Sequence, residues 1–339
     1  MNFKSPAFWW QRTLATRSKF LMPIGMIYGF ITARRMKRRS IASASVPVIC
    51  VGNVVIGGAG KTPTTISISR LLESNGYKCG FLLRGYGGSS KEATRVLPEH
   101  TADEVGDEAL LYAAIGPTVV SADRPSGAEL LGNADIDVIL MDDGFQNPSL
   151  KKDCALIVVD AVSGWGNGLC FPAGPLRASL NSHMALANAV IGLGQGEYSE
   201  SLELLQIQHQ FEFIEADVVV STPHPLDQTT RYFAYSGIGR PQKFFSSLEQ
   251  NGYSLIERKP YPDHHPFSES DAKKILQQVK AHSAIPITTE KDHIRLASSE
   301  PGSHRAELFQ ASRVLKISVE FSNPDELLNL LSDAIASKE

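Results

Sequence analysis

The stretch VPVICVGNVVIGGAGKT at residues 46–62 decides the fold that we predict for this chain of 339 residues. Its first part, to about Gly52, is an apolar run bounded by turn-forming residues, which is typical of a strand buried in a parallel sheet. A glycine-rich loop follows, then Lys61 and Thr62, then a helical pattern from about Pro63 to Ser74. A strand, a glycine-rich loop and a helix in that order, with Lys-Thr at the junction, predict a phosphate-binding loop.

The residue types in this loop suit the binding of a nucleotide and of Mg²⁺. Backbone N–H groups would surround the phosphates, and the helix N-terminus would add positive potential. Lys61 would reach the β and γ oxygens, and the Thr62 hydroxyl would ligate Mg²⁺. The nucleotide contacts expected from this loop are Gly57, Gly58, Ala59, Gly60, Lys61, Thr62 and Pro63. The strict motif has a glycine where this chain has Val55, so a glycine-rich turn that binds nothing is the alternative.

The composition is that of a globular protein, and the length allows one large domain or two medium ones. The cysteines lack the C-x-x-C spacing of metal sites, which indicates reduced thiols in a cytosolic compartment. They are Cys50, Cys79, Cys154 and Cys170.

The first 40 residues differ sharply in charge from the remainder of the chain. They hold nine of the 33 Lys and Arg residues and no acidic residue, which leaves 24 basic against 36 acidic side chains elsewhere. A basic N-terminal segment attached to an acidic remainder indicates that the N-terminal segment binds an anionic surface. The same segment contains an apolar run at 20–33 that is interrupted by Pro23, Gly25 and Gly29. This run is shorter than the roughly 20 residues that span a bilayer.

We therefore predict that residues 1–40 form a membrane-associated helical segment of the monotopic kind. Its apolar and aromatic side chains would enter the interface, and its cations would meet anionic headgroups. The basic cluster at 34–39 follows the apolar run, whereas a signal peptide begins with its charge. The cations also place the body of the protein on the cytoplasmic side. The alternative is a basic helix packed in the core.

Downstream of the phosphate loop, short apolar runs alternate with helical patterns. We expect a helix from about Val105 to Ile115, and strands at 80–83, 117–120, 136–141 and 155–160. This alternation predicts an α/β fold of the P-loop NTPase type, with a doubly wound, mostly parallel sheet that binds ligands at the carboxyl ends of its strands. We assign residues 41–220 to this P-loop domain, and we expect a C-terminal helix at 324–337 to pack back onto it.

Two acidic pairs lie near the predicted strand ends. Asp142 and Asp143 close an apolar strand, which is where a Walker-B-type acid holds Mg²⁺ directly or through water. Asp107 and Glu108 open a helix. From the pattern alone, the first pair also fits turn acids, and the second also fits partners of the helix dipole.

From about residue 211 the pattern changes and predicts a second, smaller α/β domain. Residues 221–230 have the composition of a linker and are the predicted hinge, and residues 231–320 form the smaller domain. The run at 286–292 is expected to be a strand with a polar end. His264, which follows Asp263 in a loop bounded by prolines, has the setting of a tuned acid or base, although a solvated loop histidine fits the same pattern.

An ordered set of motifs resembles the tetraacyldisaccharide 4′-kinases, the lipid A 4′-kinases of Gram-negative inner membranes. The resemblance covers nearly the whole chain, and the set is far more specific than a phosphate loop alone. Its motifs are VGN at 51–53, GGAGKTP at 57–63, RGYGG at 84–88, GDE at 106–108, ADR at 122–124, DDGFQ at 142–146, FPAGPLR at 171–177, DH at 263–264 and TEKD at 289–292.

The resemblance implies a kinase that uses ATP and Mg²⁺ to phosphorylate the 4′-hydroxyl of a tetraacyldisaccharide 1-phosphate, which forms lipid IVA. It implies a peripheral enzyme on the cytoplasmic side of the inner membrane, with two α/β domains that close over a cleft. The partners are then the lipid substrate and the anionic membrane surface. We expect a monomer that has no nucleic-acid partner.

Carried over by position, the resemblance also implies roles for individual residues. Asp107 is the base that accepts the proton of the sugar hydroxyl, and His264 assists it as a dyad partner. Gln146 and Arg177 line the phosphate site. The implied metal-binding residues are Thr62, Asp142 and Asp143, and the implied catalytic set is Lys61, Asp107, Asp142, Asp143 and His264.

Two positions depart from the pattern of the family. Ala178 stands where the family usually has a glutamate after the Pro-Leu-Arg motif, so a carboxylate role there is absent or relocated. Asn147 stands where a histidine usually follows the Asp-Asp-Gly-Phe-Gln motif. Both departures leave the phosphate loop, the acidic pair and the Asp/His pair in place, so an active enzyme is expected.

The main rival interpretation is a membrane-associated P-loop switch ATPase that hydrolyses ATP without phosphorylating a lipid. Such proteins generally carry a second lysine early in the loop, where this chain has apolar residues at 54–56. A fixed N-terminal anchor also argues against cycling on and off the membrane. A third interpretation, a structural module that binds a nucleotide, would leave Asp107 and His264 without a purpose.

Overall fold

The computed structural model describes residues 5–11, 14–90, 92–194, 200–222, 227 and 229–338. Their strands form two sheets, one of nine strands and one of four. We call the units built on these sheets the large domain and the smaller domain.

The strands are Val48–Gly52 (β1), Cys79–Leu83 (β2), Thr94–Arg95 (β3), Thr118–Val120 (β4), Val138–Asp142 (β5), Cys154–Asp160 (β6), Ala189–Leu193 (β7), Glu212–Val220 (β8), Arg231–Ser236 (β9), Ser254–Pro260 (β10), Ile285–Thr289 (β11), Arg313–Leu315 (β12) and Ile317–Phe321 (β13). The α-helices are Thr16–Met36 (α1), Lys61–Glu73 (α2), Ala102–Val105 (α3), Asp107–Ala113 (α4), Arg124–Gly132 (α5), Leu180–Met184 (α6), Glu200–His209 (α7), Pro241–Gln250 (α8), Glu269–Ala281 (α9), Glu290–Ile294 (α10), His304–Ala311 (α11) and Pro324–Ala336 (α12), and a 3₁₀ turn spans Ala7–Trp10.

The large sheet has the strand order β13-β8-β7-β6-β1-β5-β2-β4-β3. Its strands from β8 to β4 pair in parallel, and only the edge strands β13 and β3 pair antiparallel with their neighbours. The prediction of an α/β fold with a large, mostly parallel sheet is therefore confirmed. The strand that precedes the glycine-rich loop, β1, lies at the centre of the sheet between β5 and β6.

Both faces of this sheet are covered by helices, as a doubly wound parallel sheet requires. Ile49 and Val51 of β1 face a core that includes residues of α2, α4 and α12. Val48 and Cys50, the alternate residues of the same strand, face a core that includes residues of α5 and α6. The continuous burial of β1 follows from these two cores, and it explains why the strand reads as an apolar run rather than as an alternating pattern.

The smaller sheet has the order β10-β9-β11-β12 and is parallel throughout. Helix α8 packs on one face, and helices α9 and α11 pack on the other. All but the last residue of strand β13 falls in the range 231–320 that the sequence assigned to the smaller domain, but the strand pairs with β8 of the large sheet. We therefore place this boundary before Ile317 rather than after residue 320. The expected hinge at 221–230 falls in part on 223–226 and 228, which lie outside the described residues.

Two local predictions were wrong. The run at 286–292 is a strand only to Thr289, because the Thr289 side chain accepts a hydrogen bond from the Asp292 N–H and begins helix α10. The helix expected from 105 to 115 is interrupted at Gly106, so that Asp107 becomes the first residue of a separate helix, α4.

Helix α1 runs without interruption through Pro23, whereas the sequence suggested a broken apolar run. Gly25 and Gly29 let it lie directly on the loop at Cys170, because a Cβ at either position would come within 2.6 Å of that residue. Its opposite face exposes large apolar side chains: Phe20, Ile24, Met26, Ile27, Phe30 and Ile31. Among the described residues, no helix has both the length and the hydropathy needed to cross a bilayer.

Candidate active site

The glycine-rich loop joins the end of β1 to the start of α2. Gly60 precedes the helix with φ +86°, a left-handed conformation that suits glycine, and Lys61 is the first residue of α2. Lys61 Nζ lies 3.6 Å from Asp143 Oδ1, and Arg177 Nη1 lies 3.3 Å from the same oxygen. Gln146 Oε1 accepts a hydrogen bond of 3.2 Å from Arg177 Nη1. We call Lys61, Asp143, Gln146 and Arg177 the phosphate cluster.

The acidic pair lies beside this loop because β5 and β1 are neighbours in the sheet, with Val51 paired to Asp142. Asp143 follows the strand with φ +54°, which makes it the first residue of a tight turn. Burial by itself would raise the pKa of Asp143. The nearby positive charges of Lys61 and Arg177 outweigh burial, so the net pKa is lowered to about 2. Asp143 is therefore an anion that holds the positive charges of Lys61 and Arg177 close to the glycine-rich loop.

Asp142 differs from its neighbour because it is buried and has few partners. Its Oδ2 accepts a hydrogen bond of 2.7 Å from Tyr112 Oη, whereas its Oδ1 has no hydrogen-bond partner among the described residues. Burial, followed by the negative charge of Glu108, raises its pKa to about 7. A buried carboxylate oxygen without a partner is costly unless a cation or a water satisfies it. Asp142 thus has the chemistry expected of a residue that holds Mg²⁺ directly or through water.

Thr62 brings a second oxygen to the same region. Its hydroxyl donates to Glu108 Oε1 at 3.1 Å and lies 3.2 Å from the ammonium nitrogen of Lys291, which also donates to Glu108. The described residues hold no cluster of three or more His, Cys, Asp or Glu side chains that would cage a metal. Mg²⁺ commonly binds through one or two carboxylates together with phosphate oxygens and waters, so Thr62 and Asp142 fit a Mg²⁺–nucleotide complex.

Asp107 joins the two domains. Its Oδ2 accepts from Arg295 Nε at 2.8 Å and from Arg295 Nη2, and it lies 3.2 Å from His264 Nδ1. Its Oδ1 accepts from the Glu108 N–H at 2.9 Å. Arg295 also donates to Asp292 Oδ1 at 2.7 Å. The side chains of Asp107 and Arg295 are only 4% and 6% exposed, so this is a buried contact between α4 and the smaller domain.

The pairing of Asp107 with His264 shifts the pKa of both groups. Burial raises the pKa of Asp107, but the His264 hydrogen bond and the Arg295 charge outweigh it, so that the net pKa is well below its usual range. The hydrogen bond to Asp107 raises the pKa of His264 above its ordinary value of 6.5, although burial opposes this. His264 Nε2 lies 3.9 Å from Asp263 Oδ1, which is beyond hydrogen-bond distance.

The structure brings the predicted residues together in two groups. The phosphate cluster and Thr62 lie on the large domain, and Asp107 meets His264 across the domain boundary although 157 positions separate them. We call the cross-domain group the bridging cluster; its members are Asp107, Glu108, His264, Lys291 and Arg295.

Sequence reasoning missed two members of the bridging cluster, Lys291 and Arg295. Lys291 lies in the motif at 289–292, so that motif carried a signal, although the expected strand hid the helix on which it lies. Arg295 follows the motif and had no signal. The two positions that depart from the family pattern lie outside both clusters. Ala178 is fully buried in an apolar core, and Asn147 accepts a hydrogen bond from Ser149 N through its side chain.

Comparisons with known proteins point to one family. A family model described as tetraacyldisaccharide-1-P 4′-kinase matches residues 17–336. A tetraacyldisaccharide 4′-kinase of Methylobacterium nodulans is 42% identical over 327 residues, which covers 96% of this chain and 94% of the relative. Another, of Rhizobium meliloti, is 40% identical over 339 residues, which covers 99% and 96%. The crystal structure of LpxK from Aquifex aeolicus in complex with ATP has a TM-score of 0.74 and 25% identity, and the match covers 94% of this chain and 99% of that one.

Proposed function

This chain belongs to the tetraacyldisaccharide-1-P 4′-kinase family, and from that premise we propose how its residues transfer a phosphoryl group to a lipid. The family resemblance stated from the motifs is confirmed. The enzyme is a kinase that moves the γ-phosphoryl group of ATP to the 4′-hydroxyl of tetraacyldisaccharide 1-phosphate. The switch-ATPase interpretation is not retained.

One observation carries the assignment of the site. Asp107 and Glu108 are neighbours in sequence, and they serve the two sides of the reaction. Glu108 contacts Thr62 at the phosphate loop, while Asp107 contacts His264 from the smaller domain. An acceptor hydroxyl that meets the Asp107–His264 pair would thus lie close to the phosphate that the loop holds, which is the proximity that phosphoryl transfer requires.

The two partners differ in how freely they can take a proton. Both carboxylate oxygens of Asp107 already accept hydrogen bonds, and its pKa is depressed. His264 has a raised pKa and an Nε2 atom without a hydrogen bond to Asp263. We therefore place the proton of the sugar hydroxyl on His264 Nε2, with Asp107 holding the ring and stabilising the imidazolium. This refines the role implied by the resemblance, in which Asp107 is the base.

On the nucleotide side, Lys61 and Arg177 are the cations that stabilise charge on the transferring phosphate. Thr62 and Asp142 would hold Mg²⁺, and Asp143 would hold the metal's waters or the loop around it. Bound Mg²⁺ supplies neutralisation of the charge on the β and γ phosphates. A loose transition state needs a base only late in the reaction, so most of the stabilisation comes from this electrostatic side.

Helix α1 supports the proposal that the enzyme works at a bilayer surface. Its exposed side chains at positions 20, 24, 27 and 31 recur at helical spacing and form one apolar stripe. Exposed cations follow at the end of the helix: Arg34, Arg35, Lys37, Arg38 and Arg39. An apolar face next to cations suits the interface of an anionic membrane, and we assign it to the cytoplasmic face of the inner membrane. Both halves of the site come from one chain, which supports a monomeric enzyme.

Transfer of label from γ-labelled ATP tests the proposed reaction. The wild-type enzyme should label purified tetraacyldisaccharide 1-phosphate and should not label an analogue that lacks the 4′-hydroxyl. Release of free labelled phosphate at the same rate with or without the acceptor, and no labelled lipid, would indicate a switch ATPase instead.

A further inference from the structure

Both the nitrogen and the oxygen of the Gln146 side-chain amide have polar partners. Its Nε2 donates to the Asn53 carbonyl at 2.8 Å and lies 3.2 Å from His183 Nε2, and its Oε1 accepts from Arg177 Nη1. A backbone carbonyl can only accept and a guanidinium can only donate. The amide therefore fits in one of its two orientations, with both N–H groups directed away from Arg177.

His183 completes this arrangement from a fully buried position on α6. Its Nδ1 lies 3.0 Å from the Ser179 carbonyl oxygen, so the ring proton belongs on Nδ1 and the Nε2 lone pair faces Gln146. Burial, and then the positive charge of Arg177, lower the pKa of His183 to about 4, which keeps the ring neutral near pH 7. A protonated ring would turn an N–H toward the N–H of the amide.

Arg177 follows His183 and Gln146 in this chain of contacts. Its Nε donates to the Val55 carbonyl at 3.3 Å and its Nη1 donates to Gln146, while Nη1 also lies 3.3 Å from Asp143 Oδ1. These contacts fix the plane of the guanidinium beside the phosphate loop. Among the contacts of the described residues, they leave further N–H groups of Arg177 available for phosphate oxygens.

We propose that His183 is a positioning residue of the phosphate site, which fixes the Gln146 amide and thereby holds Arg177 in place beside Asp143. The inference rests on the proposed function in one respect, since it takes the space beside Lys61 and Asp143 as the place of the ATP phosphates. Among the described residues, His183 contacts Gln146, the Ser179 carbonyl and the Phe145 ring. It acts only through Gln146.

A packing role for His183 gives a different expectation, and two substitutions separate the roles. His183→Leu places an apolar side chain of similar size in the buried site and removes the acceptor atom, Nε2, that faces Gln146. His183→Gln is polar and retains an acceptor atom near the position of Nε2. If His183 only packs against neighbours such as Phe145, whose ring centroid is 5.7 Å away, the leucine variant should be the better tolerated of the two.

The test is a double-mutant cycle in the full-length enzyme, with kcat/KM for ATP and the Kd of ATP as readouts. We expect His183→Leu to lower kcat/KM by about 10-fold, and His183→Gln to stay within about 3-fold of wild type. Arg177→Ala should lower it by about 10²-fold. In the Arg177→Ala background, His183→Leu should then cost almost nothing more, because the group that it positions is gone.

Multiplicative losses, about 10³-fold in the double variant, would overturn the proposal, as would equal losses in the leucine and glutamine variants. If His183→Leu does not fold by thermal melting, Gln146→Leu takes its place in the cycle and should also be non-additive with Arg177→Ala. If the wild type labels no lipid, the proposed function fails. In that case the Kd of ATP alone shows whether the effects of the His183 and Arg177 substitutions are additive.

Discussion

The phosphate cluster and the bridging cluster both bring charged side chains together, but different parts of the fold supply their residues. Every member of the phosphate cluster comes from the large domain, and its ion pairs to Asp143 are 3.3 and 3.6 Å long and partly exposed. The bridging cluster draws on both domains, and its central pair of Asp107 and Arg295 is buried. Its contacts exist only when the two domains meet.

This difference separates two tasks. Because all members of the phosphate cluster come from the large domain, we expect nucleotide binding to depend little on the smaller domain. The base that we propose, the Asp107–His264 pair, is complete only when the two domains meet, so phosphoryl transfer should depend on residues that ATP binding does not need. The predictions that follow are ordered by the size of the expected effect.

Lys61→Ala should have the largest effect, because we propose that Lys61 serves both ATP binding and charge stabilisation. We expect turnover to fall by at least ~10²-fold, together with a weaker affinity for ATP. Lipid labelling and nucleotide titration measure the two losses. Lys78→Ala is the matched control, since Lys78 pairs with Asp135 at an exposed position and should behave as wild type. Full ATP affinity in Lys61→Ala would contradict the role of the phosphate cluster.

Asp107→Asn should lower turnover by about 10²-fold and should also change its pH dependence. His264 must be neutral to accept a proton, and Asp107 raises its pKa, so kcat/KM of the wild type should fall as the pH drops through a value above 6.5. Without the carboxylate the pKa of His264 falls, and the acidic limb should move to lower pH. A pH–rate profile tests this. An unmoved limb would show that His264 is not the titrating group.

Substitutions on the exposed face of α1 should weaken binding to membranes without changing the affinity for ATP. Replacing Phe20, Ile27 and Ile31 by serine should weaken binding to anionic vesicles by at least ~10-fold, because it removes apolar surface that we propose enters the interface. The Kd of ATP should not change. Ile115→Ser alters an exposed apolar residue outside α1 and serves as the control. Unchanged binding in vesicle sedimentation would remove α1 from the membrane contact.

The smallest effect is expected at a second contact between the domains. Arg240 of the smaller domain donates to Asp160 at 3.2 Å and to Ser163 at 2.9 Å, and its guanidinium lies 4.8 Å from the centre of the Trp10 ring. Because Lys243 also pairs with Asp160, Arg240→Ala should leave turnover within about 3-fold of wild type. A loss as large as that of Asp107→Asn would mean that domain contact in general, rather than the bridging cluster, limits transfer.

The parts of the molecule that the sequence made predictable are those encoded over short distances. The glycine-rich loop, its strand and its helix occupy one continuous stretch, and the Asp142–Asp143 pair lies at the end of an apolar run that the sequence predicted to be a strand. The apolar run at 20–33 and the basic cluster at 34–39 are equally local, and both are visible in the sequence itself.

The residues of the site that the sequence did not predict depend on contacts between positions that are far apart in the chain. Lys291 meets Glu108 across 183 positions and Arg295 meets Asp107 across 188, and a lysine or an arginine on a surface helix has no pattern that distinguishes it from a solvated one. His183 gave no signal either, since its role depends on a tautomer set by the Ser179 carbonyl. The run at 286–292 was predicted as one strand because its first half is apolar, whereas the capping hydrogen bond from the Asp292 N–H to Thr289 ends the strand and begins helix α10.

The most direct test of the division between the clusters is to measure ATP affinity and single-turnover transfer in His264→Gln. His265→Gln is the matched control, because His265 is the next residue and bonds to Asp271 within the smaller domain. We expect His264→Gln to bind ATP within about 3-fold of wild type and to transfer the phosphoryl group at least ~10²-fold more slowly, with His265→Gln near normal in both. Normal transfer by His264→Gln, or a loss of ATP affinity that matches its loss of transfer, would contradict a cleft in which one domain holds the nucleotide and both domains make the base.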